Sequence, residues 1–289
     1  MKVTDKVRDL GKEMVRVTVG TSKIPFTFHK KLLRWQSEYF SRAFGPNFKE
    51  GKDGVLHLPE TSKTTFRLFQ TWVYLQTTRS PPGISEVEAL LSPAARMIRS
   101  LNADVSAHTR TRMEETNQNR SDADSDCNND VLNSLFHLYR FADAYECVKL
   151  RNDVISAFSD LTKDGLAPDP ETIAFMFEEL PPSSTICQYF VKSAALNWGH
   201  YRGPYRALLE ATPLPQDFLV EVVRINHKLA SKGKGMDALC NEIQDRCNFH
   251  EHATEDEKQL CKSRILQDAP YIDALILACL EVSRDVQTT

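Results

Sequence analysis

Apolar side chains fall on every second position in two runs near the start of the chain, Val15-Arg16-Val17-Thr18-Val19 and Ile24-Pro25-Phe26-Thr27-Phe28. That is the period of a half-buried strand, and Gly20-Thr21-Ser22-Lys23 between them supplies turn residues, so the pattern predicts a hairpin. From His29 to Phe44 the period becomes helical. Leu32 and Leu33 face inward on a first short helix. Ser37 caps a second, whose apolar stripe is Tyr39, Phe40, Ala43 and Phe44. Gly45-Pro46-Asn47 breaks it. Val55-Leu56-His57-Leu58 reads as a third strand, ended by Pro59. Thr61 or Ser62 can then cap a helix with Phe66, Phe69 and Val73 on one line and Leu68, Trp72 and Leu75 on another. Apolar over more than half its circumference, that helix should be buried between other elements.

A second ordered block follows a polar insert. The period predicts helices over 131–145, lined by Leu135, Leu138, Tyr139 and Ala142, and over 148–161, lined by Leu150, Val154, Phe158 and Leu161. Between Tyr74 and Phe136 there is no aromatic residue, and 103–130 is dominated by Asp, Asn, Ser, Thr, Arg and Glu. Such a segment buries too little apolar surface to offset its ordering entropy, so 77–130 is expected to be a largely disordered insert. One short helix is expected around Ser92-Pro93 to Leu101, and the serines and threonines offer phosphorylation sites.

Together the pieces give an α+β fold: a small sheet covered by helices over 14–160, then a mainly helical region over 166–285. In that region Asp169-Pro170 opens a helix containing Ile173, Met176, Phe177 and Leu180. Ser183 or Ser184 opens another with Ile186, Tyr189, Phe190 and Trp198. Phe218, Val222, Ile225 and Leu229 line a third, and a short helix runs from Tyr271 to Cys279. The spacings describe an antiparallel helical array, without a fixed-period repeat. The basic run Lys228, Lys232, Lys234 beside glycines reads as a solvated linker.

Composition narrows the function classes. The 289 residues are 41% hydrophobic and 26% charged, with a net charge of -3. Neither nucleic acid nor an anionic membrane is favoured as partner by that balance. No apolar run approaches the roughly 20 residues that cross a bilayer. The start, Met1-Lys2-Val3-Thr4-Asp5-Lys6, is too charged for the core of a signal peptide. Seven cysteines, an odd number and most of them widely spaced, fit reduced thiols and an intracellular location, in nucleus or cytoplasm. Cys147, Cys187 and Cys279 lie in apolar helical contexts and should behave as small core residues.

The ordered pieces resemble a BTB/POZ domain, in the manner of the large fungal group of such proteins. Val17-Thr18-Val19-Gly20, Phe26-Thr27-Phe28-His29-Lys30-Lys31-Leu32-Leu33 and Ser37-Glu38-Tyr39-Phe40 resemble its start. Leu56-His57-Leu58-Pro59-Glu60, Phe66 and Trp72-Val73-Tyr74 resemble its middle. Leu138-Tyr139-Arg140-Phe141-Ala142-Asp143-Ala144-Tyr145 and Leu150-Arg151-Asn152 resemble its closing helices. The family commonly adds an edge strand after the Trp72 helix, where this chain runs into Gln76–Gly83. The resemblance implies a protein–protein interaction module and no catalysis. Its sharper form is a substrate adaptor for a cullin-based ubiquitin ligase, because such adaptors present a hydrophobic-x-Glu motif just before the third strand. Phe48-Lys49-Glu50 resembles that motif, and with Phe44 it forms the expected partner-binding set. An alternative is a BTB-type transcriptional regulator recruiting a corepressor, although no basic DNA-reading element is visible. The short stretch before Val15 lacks the extra helix and strand of dimeric relatives, which implies a monomer or weak homodimer.

Chemistry concentrates at one place, Cys247-Asn248-Phe249-His250-Glu251-His252 with Cys261 beyond. Cys247, His250, His252 and Cys261 could close a tetrahedral structural zinc site, or they could be incidental residues of a polar loop. A zinc enzyme with Glu251 as base is a weaker reading, because catalysis needs an open coordination position. No nucleophile elbow, P-loop or dinucleotide glycine motif is present. His29 is expected to serve structurally at a helix start.

Overall fold

A computed structural model describes residues 10–77, 79, 122–163, 168–197, 212–232 and 235–287. The expected short helix near 92–101, most of the insert, Trp198 and Lys234 lie outside the described residues. The chain divides into two compact units: Met1–Val154 with Leu260–Thr289, and Ile155–Gln259.

In the first unit, strands β1 (Met14–Val19) and β2 (Ile24–His29) form the expected hairpin, with Val19 opposite Ile24 and Met14 opposite His29. Gly20 at φ 67° and Lys23 at φ 51° turn the chain in the left-handed region. Strand β3 (Val55–Leu58) pairs in parallel with β1, which gives a mixed sheet of order β2-β1-β3. Val15, Val17, Val19, Leu56 and Leu58 are buried on one face, while Arg16 and His57 alternate to the exposed one. Among the described residues there is no edge strand after Trp72.

Helices α1 (Lys30–Gln36), α2 (Glu38–Ala43) and the short α3 (Lys49–Asp53) link β2 to β3, and α4 (Lys63–Leu75) follows. The expected caps are made. The Ser37 hydroxyl accepts from Phe40 N at 3.1 Å, and Ser62, rather than Thr61, accepts from Thr65 N at 3.0 Å. His29 precedes α1, and its Nδ1 lies 3.2 Å from the Tyr74 hydroxyl. Phe66, Leu68, Phe69, Trp72 and Val73 of α4 are all buried. Helix α3 is absent from the sequence expectation: its one turn carries no apolar period to announce it.

The two sequence blocks share a core. Helix α5 (Asp122–Ala144) places Phe141 4.7 Å from Phe69 and 5.8 Å from Phe66, centroid to centroid. Phe66 in turn packs edge-on to Phe26 and Phe28 of the hairpin. Such aromatic pairs add about 0.5–1.5 kcal/mol each beyond area burial. Helix α5 starts at Asp122, upstream of the expected Val131; the run 122–130 has no apolar period, so the sequence reads it as part of the insert. Helix α6 (Val148–Lys163) follows the αL turn at Glu146, φ 54°. A further helix, α12 (Ile265–Gln287), packs on α4 and α5 and so belongs to this unit, rather than to a C-terminal array over 166–285. It also begins before the expected Tyr271 and runs through Pro270. Proline normally marks a helix start or break; here the buried run Tyr271, Ile272, Leu275, Cys279 and Val282 outweighs the lost hydrogen bond.

The second unit is helical. Beyond the end of α6 it contains α7 (Pro170–Glu179), α8 (Thr185–Asn197), α9 (Gln216–Lys232) and α10 (Gly235–Gln244). Asp169 caps α7 by accepting from Thr172 N at 2.6 Å. Helix α8 is central: Ile186, Cys187, Tyr189, Phe190, Val191, Ala194 and Ala195 are all buried. Phe158 of α6 meets Phe190 edge-on at 4.9 Å, and Phe177 meets Phe218 at 5.5 Å. Helix α10 was not expected, because glycines at 233 and 235 read as a linker; Leu239 and Ile243, one turn apart, bury it. No described helix is long and apolar enough to cross a membrane.

Candidate functional site

After α10 the chain makes a 3-10 turn at Arg246–Asn248, capped by Asp245, whose carboxylate accepts from Cys247 N at 3.1 Å. Phe249 holds this turn down. It is buried, meets Tyr189 edge-on at 5.1 Å, and carries the Lys192 ammonium 5.1 Å above its ring. Arg246 pairs with Asp160 of α6. The segment therefore has fixed points on α6 and α8 on either side of Cys247.

Thr254 then starts α11 (Glu255–Ser263). Its hydroxyl accepts from Glu257 N at 3.2 Å, and Glu257 reaches back to accept from Ala253 N at 2.7 Å. Together these two bonds fix the start of the helix that carries Cys261. The division between the two units falls inside α11, one unbroken helix, so all four residues belong to a single stretch of chain.

One ligand atom from each of Cys247, His250, His252 and Cys261 lies within 4.8 Å of every other. Cys247 is buried and the other three are half-buried. Among the described residues His252 Nε2 is buried with no hydrogen-bond partner, and a buried polar atom left so costs about 1–3 kcal/mol. A cation beside it would supply what is missing. Two soft thiols and two imidazoles are a donor set for a tetrahedral metal ion. The cluster can hold a metal, and its residues are those that the sequence spacing nominated.

Sequence reasoning missed Ser156. Its hydroxyl, on α6, lies 3.0 Å from His250 Nε2. Across 94 residues no local pattern announces such a contact. Thr254 and Glu257, three residues apart, are by contrast a local helix-start signal that the sequence displays.

The expected partner-binding set divides. Phe44 is 1% exposed, capping α2 inside the core, so its place as a partner contact is corrected: a buried ring cannot enter a partner's pocket. Phe48 is 51% exposed and precedes α3, and Glu50 is half-buried in the first turn of α3. Gly51 fixes this turn, since a Cβ there would lie 1.8 Å from the Gly45 carbonyl oxygen. Gly54, at φ 65°, then directs the chain into β3. Burial, followed by the nearby Tyr145 and Glu50, raises the Tyr39 hydroxyl above its ordinary range.

Comparison with family models, curated proteins and solved structures finds no match. Function therefore rests on these two sites and on the fold that carries them.

Proposed function

We propose that this chain is a non-enzymatic protein–protein interaction protein whose first unit is a BTB/POZ-like module. The supporting observation is Phe48, half-exposed at the entry of α3, the turn that leads into β3, with Glu50 in the first turn of that helix. The element order strand, strand, three short helices, strand, helix, with a closing helical pair after the insert, supports the same reading, though fold-level analogy carries it. In its sharper form the protein is a substrate adaptor: Phe48 anchors in a pocket on a cullin and Glu50 adds charge complementarity. Cys147, Cys187, Cys240, Cys247, Cys261 and Cys279 take part in no disulfide, in keeping with an intracellular site of action. A pull-down of cullins with wild type and with Phe48→Ala/Glu50→Ala tests the contact. Recovery lost in the double variant is the expected result; equal recovery removes the contact.

We further propose that Cys247, His250, His252 and Cys261 hold a structural zinc ion. Zinc bond lengths place neighbouring tetrahedral ligand atoms about 3.3–3.8 Å apart. Atoms already within 4.8 Å of one another reach that spacing by small side-chain rotations. Two thiolates neutralise the ion, and four protein ligands leave no open position for a substrate. Metal analysis of the purified full chain tests it; absence of stoichiometric zinc ends the proposal.

A further inference from the structure

We infer that Ser156 is a positioning residue for the metal cluster, orienting His250 to ligate through Nδ1 while His252 ligates through Nε2. The inference rests on the zinc reading above and deepens it.

The two imidazoles are held in opposite senses. His250 Nε2 is engaged by the Ser156 hydroxyl at 3.0 Å, so the ring offers its other nitrogen to an ion. His252 has its Nε2 buried and, among the described residues, without a hydrogen-bond partner, so that nitrogen is the one we assign to the cluster. The rings lie 5.8 Å apart at 64° to each other. Two histidines separated by one residue thus present different ring edges to a common point. With zinc bound, His250 Nε2 carries the proton and donates to Ser156 Oγ, which fixes both tautomer and ring plane.

Ser156 is itself fixed. It is buried on α6, between neighbours Ile155 and Ala157 that are also in the core. The hydroxyl therefore does not follow the metal-binding segment; the segment is registered against it. Loss of such an outer partner typically weakens metal affinity about 10–100-fold while leaving the ligand count unchanged.

The test uses the full-length protein loaded with zinc or cobalt(II). Zinc affinity is measured by competition with a chromophoric chelator for wild type, Ser156→Ala and Ser156→Thr. The ligating nitrogens are read from histidine ring ¹⁵N shifts of the wild-type zinc form. The expected result has three parts: His250 Nδ1 and His252 Nε2 both metal-shifted, affinity about 10–100-fold weaker in Ser156→Ala with zinc stoichiometry kept, and recovery in Ser156→Thr. The cobalt ligand-field bands of Ser156→Ala should shift while remaining tetrahedral in intensity. If wild type binds zinc but His250 ligates through Nε2, or Ser156→Ala binds as tightly as wild type, the role of Ser156 is overturned and the zinc site stands. If wild type binds no zinc, the zinc reading itself fails.

Discussion

The indole Nε1 of Trp72 donates to Oδ2 of Asp153 at 2.7 Å, joining α4 to α6 across 81 residues of sequence. The same carboxylate accepts two bonds from Arg79, at 2.9 and 2.8 Å, and both side chains are largely buried. Asp153→Ala removes the acceptor of a buried indole and leaves a buried guanidinium with one carboxylate fewer. A loss of about 3–5 kcal/mol is expected in denaturant unfolding. Trp72→Phe keeps the ion pair and should add a smaller loss.

Ser37 performs two tasks with one hydroxyl. It caps α2 and donates to the Tyr145 carbonyl at 2.5 Å, tying the first sequence block to the second. Ser37→Ala should cost about 1–2 kcal/mol. Ser37→Gly, which tolerates the cap conformation but lacks the hydroxyl, should not restore the loss. Thermal unfolding of the variants checks both.

Phe44 and Phe48, one turn apart in sequence, should respond oppositely. Phe44→Ala empties a buried site and should cost about 3–5 kcal/mol. Phe48→Ala should stay within about 0.5 kcal/mol of wild type. A large stability loss in Phe48→Ala would make it a packing residue and remove it from the proposed interface. Gly51→Ala, whose new methyl meets the Gly45 carbonyl, should weaken partner recovery with Phe48 and Glu50 intact.

Burial pushes the Cys147 thiol up to about 12 and also raises Cys187 and Cys279. In the unfolded chain a thiol ionises near 8.5–9. Between there and the folded value the unfolded state has shed its proton and the folded state has not. The contribution of Cys147 is thus intact below pH 8.5 and declines towards pH 12. Cys147→Ala should flatten that decline. In native protein near neutrality, alkylation followed by mass spectrometry should label the half-buried Cys240 well before these three.

Much of the first unit was legible because its signals are local. Alternation gave β1, β2 and β3, the 3.6-residue period gave α4, and Ser37 and Ser62 announced their helices. The metal cluster was legible for the same reason, since its four ligands occupy fifteen consecutive positions, 247 to 261. What escaped was non-local or lacked a period. Ser156 meets His250 from a distant helix. Helix α3 is a single turn pinned by Gly51 against Gly45. Phe44 and Phe48 look alike in sequence, and only the packing of α2 separates a core ring from a surface one. Helix α12 hid behind Pro270, whose cost is outweighed by a face that finds its partners on α4 and α5.

That placement of α12 has a bearing on biosynthesis. During translation the hairpin, α4 and α5 emerge long before the helix that covers them, and the whole of 155–259 must be made in between. Until that helix emerges, the nascent N-terminal segment is expected to carry an uncovered apolar flank, the kind of surface that chaperones bind.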